Sequence, residues 1–144
     1  MVRRKESAEM INIAEHIPAL RSFLENDPRV LAAYLYGSYG TEYQTPLSDV
    51  DLAVLLKRDV ALPLQEELLL ASELAGIAQE DDLNLLILNK APITIQFRVI
   101  STGRPIFVRD KIAVADFVEW VLKIYGDYSI DLREFARDQE AYLK

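Results

Sequence analysis

Gly37 and Ser38 are followed, after ten intervening residues, by Asp49 and Asp51 on either side of Val50. On an extended strand, residues two apart share a face, so the two carboxylates stand side by side while Val50 points the other way. Carboxylates held this close repel one another unless a cation lies between them. Hard oxygen ligands of this kind suit Mg²⁺, which completes its shell with water and substrate phosphates. Gly37 lets a backbone come close to a ligand, and Ser38 offers a hydroxyl and an amide to a phosphate oxygen. Together the four would hold a nucleoside triphosphate for in-line attack at phosphorus. An Asp-x-Asp at a strand end is more often a solvated edge, and a Gly-Ser pair alone is weaker still. The combination gives the reading its weight.

The elements around these residues must hold them in register. Val30 to Tyr36 is a nearly continuous apolar run ending at Gly37, which reads as a buried strand. Val50 to Leu56 is a second such run, with Asp49 and Asp51 at its opening. Pro63 to Ala78 has helical spacing, with Pro63 suited to a first turn. Leu83 to Leu88 predicts a third buried strand, Pro92 to Ser101 a helix closed by Gly103, and Ile106 to Val108 a short edge strand opened by Pro105. Ser7 to Leu24 predicts an amphipathic helix that Pro18 kinks or restarts. Ala113 to Tyr125 and Ile130 to Leu143 predict two helices separated at Gly126. This is the pattern of a mixed α/β or α+β domain with a small sheet.

The stretch YLYGSYGTEYQTPLSDVDLAVLL resembles the Gly-Ser-x10-Asp-x-Asp signature of the DNA-polymerase-β-like nucleotidyltransferases. Within that superfamily it looks like the minimal nucleotidyltransferases, the branch of the MntA-like antitoxins encoded beside HEPN toxins of the HepT type. The likeness continues through LNLLILNKAP and FRVISTGRPIFVRD. It implies a small mixed β-sheet flanked by helices, with residues 1–110 as the nucleotidyltransferase domain and 111–144 as a C-terminal helical extension packed on it. It also implies nucleotide binding by Gly37 and Ser38, catalysis and Mg²⁺ binding by Asp49 and Asp51, and ATP as substrate. The implied function is transfer of AMP to a tyrosine of a partner HEPN toxin, in a hetero-oligomer, so that the toxin is silenced. The alternative is a weakly active or inactive antitoxin that neutralises a HEPN RNase by binding alone.

Two departures from that pattern concern charge. Many relatives carry an Ala-Arg-Gly-like stretch after Gly-Ser; here Gly40, Thr41 and Glu42 stand there, without a basic side chain. Active relatives place a third carboxylate on the third strand. Aligned on Leu88-Asn89, that position is Asn84, which is neutral and cannot act as a general base. Asp82 lies two residues earlier on the same face, roughly 7 Å along the strand, and becomes the third metal ligand only if the register differs.

The remaining candidates have ordinary readings. His16 is the lone histidine and there is no cysteine, which argues against zinc chemistry and excludes disulfides. Tyr34 and Tyr36 share a strand face and read as packing; Tyr39 or Tyr43 could stack on adenine, although loop packing is the commoner role. Arg98 and Arg104 could contact phosphate, or simply be solvated charge. Trp120 belongs to an apolar helix face that serves either as core or as a docking face for a partner. The net charge of −7 and pI near 4.7 disfavour direct nucleic-acid binding and suit a basic protein partner. MVRRKESAEM has no apolar run behind it, and no run approaches the roughly 18 residues of a membrane helix, so the expected setting is the cytoplasm, away from membranes.

Overall fold

The computed structural model describes residues 11–143. A single 3₁₀ turn, Ala14–His16, leads into α1 (Ile17–Glu25), followed by β1 (Val30–Tyr36), β2 (Val50–Leu56), α2 (Leu64–Ala78) and β3 (Leu83–Ile87). A second 3₁₀ turn, Leu88–Lys90, precedes α3 (Ile93–Thr102), β4 (Arg104–Val108) and α4 (Lys111–Leu143). The four strands form one sheet in the order β3-β2-β1-β4. β1 pairs antiparallel with both β2 and β4, and β2 pairs parallel with β3 across the α2 connection, so the sheet is mixed. A parallel neighbour needs such a crossover, and Leu70, Leu74 and Ala78 bury one side of that helix.

Alternation along the strands builds two apolar layers. Val50, Leu52, Val54 and Leu56 of β2 meet Leu20 and Leu24 of α1 and Leu70 and Leu74 of α2. Ala53 and Leu55 face the other way, against Val99 of α3, with Val114 and Phe117 of α4 beside them. In β1 a register shift between Val30 and Ala32 moves the pattern by one, so that Val30 and Ala33 share the first layer while Ala32 and Tyr34 share the second.

Both ends of the chain differ from the expected elements. Of the first expected helix, residues 7–10 lie outside the described residues, Ile11 to Ile13 are non-helical, and α1 begins with Pro18 in its first turn. Proline fits there because its missing N–H has no intrahelical partner at that position. Ile13 instead donates its amide to the Tyr39 hydroxyl, 2.9 Å away. The two expected C-terminal helices are one 33-residue helix that passes through Gly126. An interior glycine costs only about 1 kcal/mol relative to alanine, and the helix-forming residues on both sides override it. Val121 in its first half is buried, whereas every residue from 130 to 140 is exposed. Among the described residues, no helix is long and apolar enough to cross a membrane.

Candidate active site

Three neighbouring strands each end an apolar row with a polar group on the α3/α4 face of the sheet. The row Ala32, Tyr34 of β1 ends at Tyr36; the row Leu55, Ala53 of β2 ends at Asp51, with Asp49 beyond; Leu86 of β3 is preceded by Asn84. The pairing register sets these residues side by side, Tyr36 against Asp51 and Asp51 against Asn84. Val50 is fully buried in the opposite layer and fixes which way the two aspartates turn.

Asn84 is the centre of this group. Its Nδ2 donates to Asp49 Oδ2 at 3.1 Å and to Asp51 Oδ1 at 3.3 Å. The side chain thus holds the two carboxylates together through one neutral donor. Burial pushes the Asp51 carboxyl above the ordinary carboxylate range; the Asn84 hydrogen bond pulls it back, and the charge of Asp49 raises it further. A site arranged like this favours a cation, because positive charge relieves both the burial and the repulsion.

Asp82 stands just before β3 and has a backbone role: its carbonyl accepts the Val50 amide at 3.0 Å, and its own amide donates to Glu80 Oε1 at 3.1 Å. Glu80 is 2% exposed at the end of the turn where α2 closes on the left-handed Gln79. These contacts set the register in which Asn84, rather than Asp82, lies opposite Asp51.

Gly37 and Ser38 form the turn that leaves β1. Gly37 has φ +77°, and a Cβ there would collide with Asp51 Oδ2. Glycine therefore satisfies both the left-handed backbone and the close approach of the carboxylate. The Ser38 carbonyl accepts the Thr41 amide at 3.0 Å and its hydroxyl at 2.6 Å, which tightens the turn.

Two of the residues that hold this turn in place, Tyr39 and Arg104, were legible only as candidate ligands. Tyr39 is 7% exposed, and its hydroxyl accepts the Ile13 amide, so its ring packs in the core and is not available for a base. Arg104 donates to the Tyr39 carbonyl and lies over its ring, 5.8 Å from the centroid. A Cβ on Gly40, at φ +75°, would strike the same guanidinium. Gln44 accepts the Gly40 amide at 2.8 Å and donates to the Ile11 carbonyl at 2.8 Å. Gln44 was missed in the sequence because a polar residue in a polar loop carries no periodic signal. Tyr43 is 76% exposed and Trp120 is 49% exposed. Trp120 lines a groove of about 630 Å³ with Leu31, Leu55, Arg58 and Phe117, at the opposite end of the strands from the aspartates.

The donor set fits Mg²⁺. Asp49 and Asp51 would hold it, with water and phosphate oxygens filling the other positions; among the described residues no third His, Cys, Asp or Glu joins them. Bound there, such an ion would neutralise phosphate charge and align a triphosphate for displacement.

A carboxylate pair thus stands at one end of a mixed sheet, facing a tight glycine turn. The polymerase beta nucleotidyltransferase family matches residues 19–112, and the chain belongs to it. Solved structures share the fold over nearly their whole length. A chain of the complex of tri-AMPylated Shewanella oneidensis HEPN toxin with MNT antitoxin superposes with TM-score 0.69 at 22% identity, covering 88% of this chain and 98% of that one. A toxin–antitoxin structure with AMP-PNP gives TM-score 0.68 at 24% identity, covering 86% and 95%. A structure of the toxin–antitoxin pair MntA–HepT gives 0.66 at 20%, covering 86% and 96%. Comparison with curated protein sequences gave no match.

Proposed function

We propose that this nucleotidyltransferase is an antitoxin that transfers AMP from ATP to a tyrosine of a partner HEPN toxin and so neutralises it. The observation that carries this reading is the same-face pair Asp49 and Asp51 against the Gly37-Ser38 turn, on a fold shared with the MNT antitoxin bound to AMPylated toxin. Gly37 and Ser38 hold the triphosphate, and Asp49 and Asp51 hold Mg²⁺. The tyrosine oxygen attacks the α-phosphorus, the bond to the β-phosphate oxygen breaks, and pyrophosphate leaves. The phenol proton must also go, and its ordinary pKa near 10 makes that slow at neutral pH without a base. Asn84 occupies the position from which a third carboxylate would take it, so transfer is slow compared with a three-carboxylate site. The acidic chain suits a basic, RNA-cleaving partner, and the pair works as a cytoplasmic hetero-oligomer.

Asn84 also favours a second reading, in which the antitoxin silences its toxin by occlusion and transfers AMP weakly or not at all. Incubation of the purified pair with labelled ATP and Mg²⁺ separates the two. Label on the toxin that disappears with Asp49→Ala/Asp51→Ala supports transfer. Neutralisation that survives the double variant, without label in the wild type, supports occlusion.

A further inference from the structure

A bound triphosphate carries several negative charges, and the carboxylates that would hold its metal add more. Nucleotide sites normally place a cationic side chain against the outer phosphates. The turn of this protein has none: Gly37 to Gln44 contains no Lys or Arg. The nearest guanidinium, that of Arg104, is committed to the Tyr39 carbonyl and ring and holds the turn from behind. Lys90 is paired with Glu67 at 2.6 Å and Arg29 with Asp27 at 2.8 Å, and Lys57 and Arg58 follow the far end of β2.

Arg98 is placed differently. α3 crosses the site face of the sheet, starting where Gln96 donates to the Leu88 carbonyl and ending where Gly103 packs against Tyr34. It therefore runs toward the end of the sheet that carries Tyr36 and Asp51. Val99 and Ile95 anchor it in the same layer as Tyr34 and Tyr36, and Arg98 is exposed beside them. Burial and the Asp51 charge push the Tyr36 phenol above its ordinary range, and the Arg98 guanidinium pulls it back, so Tyr36 lies within reach of both charges. Among the described residues, the Arg98 guanidinium makes no ion pair or hydrogen bond.

We propose that Arg98 is the cation that meets the outer phosphates of the nucleotide, taking from α3 the part that a basic residue in the Gly-Ser turn would otherwise play. This rests on the reading of the carboxylate site as a Mg²⁺–triphosphate site. An exposed, unpaired guanidinium keeps its donors for the ligand, and its planar fork fits two phosphate oxygens at once.

Calorimetric titration of ATP in the presence of Mg²⁺ tests it on the wild type, Arg98→Gln, Arg98→Lys and Arg58→Gln, with thermal melts to confirm folding. Loss of a charge-assisted contact should weaken ATP by at least about tenfold in Arg98→Gln. Arg98→Lys, which keeps the charge but not the fork, should recover part of the affinity, and Arg58→Gln at the far end should bind as the wild type does. Equal affinity in Arg98→Gln and wild type overturns the assignment, and so does an equal loss in Arg58→Gln, which would mark a general charge effect. A wild type that binds no ATP overturns the triphosphate reading itself.

Discussion

Asn84 is one atom type away from an aspartate, and its position gives that difference weight. As an amide it ties Asp49 and Asp51 together by donating to both. As a carboxylate it would add a third negative charge and a proton acceptor. General-base help is worth about 10²–10⁴ in rate, so Asn84→Asp should raise the initial rate of AMP incorporation into the toxin by at least about tenfold. Asp82→Asn should change it little, because Asp82 precedes the strand and it is Asn84 that pairs with Asp51. A fast wild type that collapses on Asp82→Asn would reverse these roles. At this scale the motif residues were legible because strand alternation alone dictates that Asp49 and Asp51 share a face. Which residue of β3 stands opposite them was legible only by alignment, since register depends on the buried Glu80 and the turn before the strand. Tyr39 and Arg104 were noticed for their chemistry, but their anchoring roles depend on contacts 26 and 65 residues apart in sequence.

The strands were readable element by element because each is an apolar run ended by glycine, proline or a charged turn. The helix ends were less so. Gly126 reads as a breaker, yet α4 continues through it, since one unfavourable residue cannot outweigh the helical turns on either side. A Cβ at Gly126 meets nothing within 4 Å, so Gly126→Ala should stabilise the protein by up to about 1 kcal/mol. Chemical denaturation with circular dichroism measures this, and a destabilised variant would mean that the helix is broken there. A second element-scale device joins α1 to the sheet. Arg109 donates to the carbonyls of Leu24, Glu25 and Asp27 at the end of α1, alongside the Asp27 and Val30 amides that reach Leu24 and Asp27. Arg29 grips the Asp27 carboxylate through two nitrogens, at 3.0 and 2.8 Å. That grip holds the Asp27 carboxyl below its ordinary range despite partial burial. Because the folded value is depressed, the stabilisation is complete above the unfolded value near pH 4 and is lost as pH falls through the folded one. Asp27→Asn should therefore cost about 1 kcal/mol at pH 7, and the gap from wild type should close below pH 4. A gap independent of pH would show that the carboxylate charge is not what matters.

Across the whole molecule, the two apolar layers separate structure from chemistry. The α1/α2 side is a continuous core, while the α3/α4 side carries the polar site at one end of the strands and the Trp120 groove at the other. α4 is about 50 Å long at 1.5 Å per residue, against roughly 23 Å for a seven-residue strand, so its distal half extends past the sheet. The sequence carried both possibilities for Trp120, core or docking face, because helical spacing cannot tell what lies opposite. With Trp120 half exposed, Trp120→Glu should weaken co-purification with the toxin more than Asp49→Ala does, while thermal melts confirm that both remain folded. Unchanged co-purification would leave that face without a part in the complex.

The most direct test of the nucleotidyltransferase reading is AMP transfer itself. Labelled ATP, Mg²⁺ and the purified HEPN partner are mixed with wild type and with Asp49→Ala/Asp51→Ala, and the label on the toxin is followed by mass spectrometry and peptide mapping. Slow, Mg²⁺-dependent addition of AMP to a toxin tyrosine, abolished in the double variant, is the predicted result. Label that persists without the two aspartates, or a wild type that neutralises its toxin with no AMP on it, would contradict it.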